Sequence, residues 1–442
     1  MPNRFRRPAF AGALCALALT NSACGGGGGD AGASSDGPVT VSFWGWANGH
    51  EALVDAFNAS HDDIRIEYAK GTDATTMMQQ LTNAFEAGDA PCLFQNSSEF
   101  VPSFLSDGML ADVTEYVEPH RDEFIESAYL GATVQGTAYG VPTSSAPAFT
   151  IYRADVFEEY GLQPPETWDD MIEAGRVLAE DGINITNYAG EDPSTLVTMA
   201  MQAGAHWYQI EGDAWKIDLL DPGSLRAAEI IQEIVDGGMH SSLTFADYAA
   251  VQRNYDQGGT VTRQISTWQM SGMVQNFTDS LGAWALAPWP TLAGEAPRTP
   301  AGTNNSGGVN LVTSQCEYPE QAAEAALWMS TDPEAVELMA SPDTGNGLMP
   351  AVTNAGDYVD QTISEDLLGE NYDAARQIVI DSLDTVTTDW TFGPNWTAMS
   401  TEMADGWARV ITGEQTVVQL LEYMQEWTVN DLTSRGINVV TS

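Results

Sequence analysis

Positive charge is the scarcest feature of this 442-residue chain: 16 Lys and Arg stand against 62 Asp and Glu, a formal net charge of −46. A nucleic-acid-binding protein needs a basic face, so that class is excluded. The same charge repels anionic solutes and membrane surfaces at long range and favours solubility. Histidine is sparse too, with five residues and no HExxH or CxxC spacing, so no metal site is expected. There is no G-x-S-x-G elbow and no Ser-Lys motif for a covalent nucleophile. The glycine-rich stretch 303–308 lacks the Gly-Lys-Ser/Thr of a phosphate loop. With 62 acidic residues a pair of glycosidase-like carboxylates can always be imagined, but no local motif singles one out. No cofactor is expected.

Beyond the N-terminus no long charge-free apolar run occurs. Within it, Arg4, Arg6 and Arg7 precede the apolar residues 9–19, and Thr20, Asn21, Ser22 and Ala23 lead to Cys24. That is the layout of a secretory signal peptide over residues 1–23. Ser22-Ala23-Cys24 resembles a bacterial lipobox, with Asn21 where a Leu-like residue is usual. The resemblance implies a lipidated Cys24 holding the protein to the outer face of the cytoplasmic membrane. Residues 24–37, with five consecutive glycines after the cysteine, can enter no core and read as a tether. Of the other cysteines, Cys15 leaves with the signal peptide. Cys92 and Cys316 remain, either bridged in an oxidising compartment or as two buried thiols.

The body then opens in a βαβαβ order. Residues 39–44 and 64–68 alternate as strands, and residues 91–95 form a third. Between them Leu53, Val54 and Phe57, then Met77, Met78, Leu81 and Phe85, recur at helical spacing. This order implies a mostly parallel sheet with ligands at the strands' carboxyl ends. Strands are expected again at 260–268, 284–289 and 309–313. Thr167 and Ser224 are expected to cap helices.

Several motifs in this order resemble the extracellular solute-binding proteins of the maltose-binding type. They are Trp44-Gly45-Trp46; the 91–95 strand followed by residues 104–112; Tyr139-Gly140-Val141-Pro142; the run from Gly161 to Asp170 (GLQPPETWDD); and Gly307-Gly308. The resemblance spans nearly all of the chain from Val39. It implies an α/β, two-lobed fold of the type II periplasmic binding protein kind, each lobe a mixed, mostly parallel sheet flanked by helices. It implies one lobe of residues 38–146 plus 291–346 and another of 147–290 plus 347–442. Cys92 and Cys316 then share a lobe, each beside a strand, which favours their bridge. The implied activity is binding rather than catalysis: a monomer that closes over a sugar and delivers it to an ABC permease. A polyamine or other polar solute is the alternative ligand.

Sugars offer hydroxyls and flat C–H faces, which aromatic rings and amide side chains answer. The loops at expected strand ends therefore nominate Trp46 and Asn48, then Gln95, Asn96 and Glu99, and Ser144 beyond the Tyr-Gly-Val-Pro turn. The resemblance adds Trp268, Gln269, Asn395 and Trp396. Asn304, Asn305 and Gly307 complete the set, the glycine allowing close backbone approach.

Overall fold

The computed structural model describes residues 37–441 apart from 73, 302–306, 342, 343 and 346. The signal-peptide, lipidation and Asn304/Asn305 expectations therefore lie outside the described residues. The first lobe is built on strand β1 (Val39–Gly45), whose alternating Val41 and Phe43 are fully buried. It pairs in parallel with β2 (Ile64–Lys70), from Val39 opposite Ile64 to Gly45 opposite Lys70. On its other side it pairs in parallel with β3 (Leu93–Ser97). Helix α1 (His50–Ser60) lays Leu53, Val54 and Phe57 on this sheet, each burial contributing about 1.5–3 kcal/mol. Helix α2 (Ala74–Ala87) buries Leu81 on the other face, against Phe94, Val101 and Leu311. The expected βαβαβ opening is thus the observed one.

β3 runs two residues further than the alternation indicated. The reason lies far along the chain: Gly308 to Val312 pairs antiparallel with Ser97 to Leu93, and a paired backbone continues as strand. Tyr139-Gly140-Val141-Pro142 also enters this sheet, as the edge strand Gly140–Pro142 beside the 308–312 strand. A Cβ on Gly140 would sit 2.2 Å from the carbonyl oxygen of Asn310, so only glycine permits that approach. An alanine-rich helix (Pro319–Thr331) closes the lobe with Ala322, Ala323, Ala325 and Ala326 buried. Cys92 and Cys316 are disulfide-bonded, Cα to Cα 4.4 Å, joining segments 224 residues apart.

The second lobe departs from a mostly parallel plan. Its central strand Phe149–Arg153 leads away from the junction of the lobes, and both neighbours, Thr262–Ile265 and Trp284–Pro288, lead back to it. All the pairings in this sheet are therefore antiparallel. The strand expected at 260–268 shortens to four residues because Ser266 and Gln269 form a capping box around the turn Thr267–Gln269. Thr167 caps helix Trp168–Ala179 in a reciprocal box with Asp170. Ser224 does not cap its helix: Asp221 does, accepting the Ser224 N–H, with Pro222 in the first turn. Asp221 and Pro222 are the better start signal.

Three passages join the lobes. Thr143 N–H donates to Gly308 O at 2.9 Å, Ser145 N–H to Met349 O at 2.9 Å, and Ser98 N–H to Gly307 O at 3.1 Å. Residues 291–301, expected in the first lobe, pack on the second. Thr291 N–H donates to Glu166 O, Thr299 N–H donates to Thr385 O, and Leu292 is in that core. Conversely, Thr353 N–H donates to Glu123 O and Ala351 packs in the first lobe's core. The prolines that end the strand at 288–290 do not end the lobe, because Thr291 pairs alongside Thr167.

Candidate functional site

The turn Ser98–Phe100 at the end of β3 faces the second lobe and forms one wall of a groove between the lobes. One end of the groove is acidic. Glu99 and Phe100 face Glu191, Asp192, Ser194, Trp396 and Asp405 across a cavity of ≈ 420 Å³. The other end has no charged lining residue among the described residues. There Ser98, Ser127 and Thr133 face Thr387, Thr388, Trp390 and Phe392 across ≈ 240 Å³. A narrow well of ≈ 50 Å³ sinks into the second lobe beside Asp192, lined by Asn187, Arg263, Gln264 and Gln269.

Local structure fixes these groups. Asp192 accepts the Ser194 N–H at 3.0 Å, at the start of helix Ser194–Gln202. Glu191 accepts from the Phe245 N–H at 2.6 Å and the Thr244 hydroxyl at 2.7 Å. Arg263 lies over the rings of Phe245 and Tyr255, 5.8 Å from each centroid, which holds its guanidinium in the well. Burial, then the neighbouring Asp192, pushes the Glu99 carboxyl well above the ordinary carboxylate range. Burial also raises Asp192, against the pull of Ser194 and Arg263.

The tryptophans divide sharply by hydrogen bonding. Trp168 and Trp289 both donate to Gln202 Oε1, at 2.8 and 3.0 Å. Trp207 donates to Ser224 Oγ at 2.7 Å, Trp284 to Ser280 Oγ and Trp407 to Ala189 O at 3.0 Å each. These five are core. Trp390 and Trp396 have solvent-shielded indole N–H groups with no partner, and each lines one end of the groove. A buried donor left unpaired costs about 1–3 kcal/mol, a cost that a ligand oxygen removes.

Of the nominated residues, Glu99 and Trp396 meet at the acidic end, Gly307 lines the uncharged end and Gln269 lines the well. Trp268 stands 39% exposed beside them in sequence. The others are used internally. Gln95 Oε1 accepts the N–H groups of Trp46 and Ala47 at 3.0 and 3.1 Å, so it shapes the loop after β1. Asn96 Oδ1 accepts the Ser97 N–H, and Ser144 Oγ accepts the Gly308 N–H. Asn395 accepts from the Tyr208 hydroxyl and donates to Asp431. Trp46 is half-buried and Asn48 exposed, and neither belongs to the groove walls described above. Trp390, Thr387 and Arg263 were not nominated. The only local sign of the first two is a run of Thr and aromatic residues just before Gly393-Pro394-Asn395-Trp396, which does not by itself mark a site. Among the described residues no cluster of three or more His, Cys, Asp or Glu could hold a metal ion, and no helix is long and apolar enough to cross a membrane.

A sequence model of the family described as bacterial extracellular solute-binding protein matches residues 47–336. The arabinooligosaccharide-binding protein of Halalkalibacterium halodurans is 24% identical over 317 residues, covering 69% of this chain and 70% of that protein. An uncharacterized lipoprotein of Streptomyces antibioticus is 26% identical over 215 residues, covering 46% of each. Among solved structures, the galacto-N-biose/lacto-N-biose I-binding protein of a Bifidobacterium longum ABC transporter superposes with a TM-score of 0.80. That likeness covers 92% of this chain and 100% of the other at 22% identity, and it shows the two-lobed type II binding-protein fold.

Proposed function

This chain belongs to the bacterial extracellular solute-binding protein family, and on that premise we propose that it is the sugar receptor of an ABC importer. In this reading the groove takes a saccharide, the lobes close on it, and the closed form docks on a membrane permease. Domain closure around a ligand is a known mode of switching. The protein acts as a monomer on the outer face of the cytoplasmic membrane, tethered through lipidated Cys24. It carries out no covalent chemistry.

One observation carries the reading. Trp390 and Trp396 line the groove and have unpartnered indole N–H groups, whereas Trp168, Trp207, Trp284, Trp289 and Trp407 are all hydrogen-bonded. An aromatic body with a free donor matches a sugar, which offers a C–H face and an acceptor oxygen together. The hydroxyls of Ser127, Thr133, Thr388 and Thr391 around the uncharged end add donors and acceptors for sugar hydroxyls. The sugar-binding relative supports the same ligand class.

The test is thermal unfolding of the protein against a panel of mono- and oligosaccharides, polyamines and amino acids. A ligand at about 100 times its Kd adds roughly 2.7 kcal/mol. The reading expects a rise in Tm with one saccharide class, reduced in Trp390→Ala and Trp396→Ala. A rise with amino acids or polyamines alone contradicts it. Release of a cleaved product during the same incubation would make the protein an enzyme.

A further inference from the structure

Resting on the sugar-receptor reading, we propose that the acidic end of the groove takes the protonated amine of an amino sugar, while the rest of the saccharide lies in the uncharged end. Glu99 from the first lobe and Asp192 from the second line the same cavity, with Glu191 and Asp405 beside them. Among the described residues no Lys or Arg lines that end. Arg263, whose charge acts on Asp192, is held over Phe245 and Tyr255 in the side well. Two carboxyls brought together from opposite lobes, Glu99 buried and Asp192 partly buried, repel one another when ionised. An ammonium between them discharges both and bridges the lobes through charge-assisted hydrogen bonds.

A second feature fixes the class more narrowly. Trp396, 2% exposed, sits in the same wall with its indole N–H unpartnered. That donor needs an acceptor, which a bare ammonium or a polyamine lacks. A sugar ring bearing one amine supplies the cation to the carboxyls, an oxygen to Trp396 and a C–H face to the ring. The uncharged end lies next along the groove and, among the described residues, has no carboxylate for a second cation. The ligand is therefore a saccharide with a basic nitrogen at one end, not a polycation.

The test is calorimetric titration, at one near-neutral pH, with three β-1,4-linked disaccharides of the same skeleton: glucosaminyl-glucose, which carries a single amine, its N-acetylated form and cellobiose. The proposal expects the free amine to bind at least about tenfold tighter than cellobiose, the scale of one charge-assisted hydrogen bond in a shielded site. That preference should collapse in Glu99→Gln and in Asp192→Asn, two variants of unchanged shape whose folding is checked by melting. Equal or tighter binding of cellobiose overturns it, as does a preference that survives both substitutions or spermidine binding as tightly as glucosaminyl-glucose. If none of the three binds while another saccharide does, this inference falls and the sugar-receptor reading stands. If no saccharide binds, both fall.

Discussion

The two lobes stabilise themselves by different means. The first has three of the thirteen tryptophans, Trp44, Trp46 and Trp328, and relies on a five-stranded sheet, small alanines and one disulfide. The second holds the other ten around a three-stranded sheet and fills its space with large rings. An aromatic core brings a polar obligation, since every buried indole N–H needs an acceptor. Gln202 alone serves two of them. Where the second lobe meets the groove that obligation is unmet at Trp390 and Trp396, the two rings to which the proposed function gives a ligand.

The contrast breaks first at Trp407. It is fully buried among Tyr188, Met403 and Leu420 and bonded to Ala189 O. Trp407→Ala should cost about 3–5 kcal/mol in denaturant unfolding; a loss under about 1 kcal/mol would show that the aromatic core is not what holds the second lobe. Removing both cysteines, Cys92→Ala with Cys316→Ala, should cost about 2–5 kcal/mol. Unfolding monitored at Trp328, which touches Phe57 at 5.4 Å in the first lobe, should show the loss first. An unchanged midpoint would place the first lobe's stability in its sheet alone.

Acid exposes the first lobe in a third way. Burial, aided by Lys70, lowers the His50 pKa from 6.5 to about 4. The fold therefore favours the neutral ring. Its contribution is complete above about 6.5 and is lost as pH falls from there toward 4, by about 3 kcal/mol in all. Glu99 and Asp192, both raised, act in the opposite sense, so the informative quantity is the difference between wild type and His50→Gln. That difference should narrow as pH falls through this window; a constant difference would contradict a buried neutral His50. The smallest effect belongs to the second lobe's cap. Thr167→Ala removes the acceptor of the Asp170 N–H and should cost about 1 kcal/mol, read as a shift in Tm; no shift would mean that Asp170 holds the helix start unaided.

Much of the first lobe was legible in sequence because its strands and helices alternate locally: Val41 and Phe43 at period two, Leu53, Val54 and Phe57 at helical spacing. Residues whose fate depends on distant partners were not. Asn96 read as the start of a polar loop, yet a strand more than two hundred residues on pairs with it. Residues 291–301 fell in the first lobe by the resemblance, and nothing local reveals the Thr167 pairing. The site divided in the same way. Glu99 was visible as a polar residue beyond a strand end, and Trp396 through the family resemblance. Trp390 was hidden because an aromatic ring in sequence does not show whether its N–H will find an acceptor.

The most direct test of the account is calorimetric titration of the protein with the saccharide class found by thermal unfolding, repeated on Trp396→Phe and Trp207→Phe. Both substitutions keep an aromatic ring and remove an indole N–H. Trp396→Phe should weaken binding by about tenfold, the worth of roughly one hydrogen bond, and leave stability little changed. Trp207→Phe should leave affinity intact and lower stability by about 1–2 kcal/mol, since Ser224 loses its donor. If the two variants behave alike, or Trp396→Phe binds as well as wild type, the groove between the lobes is not the ligand site.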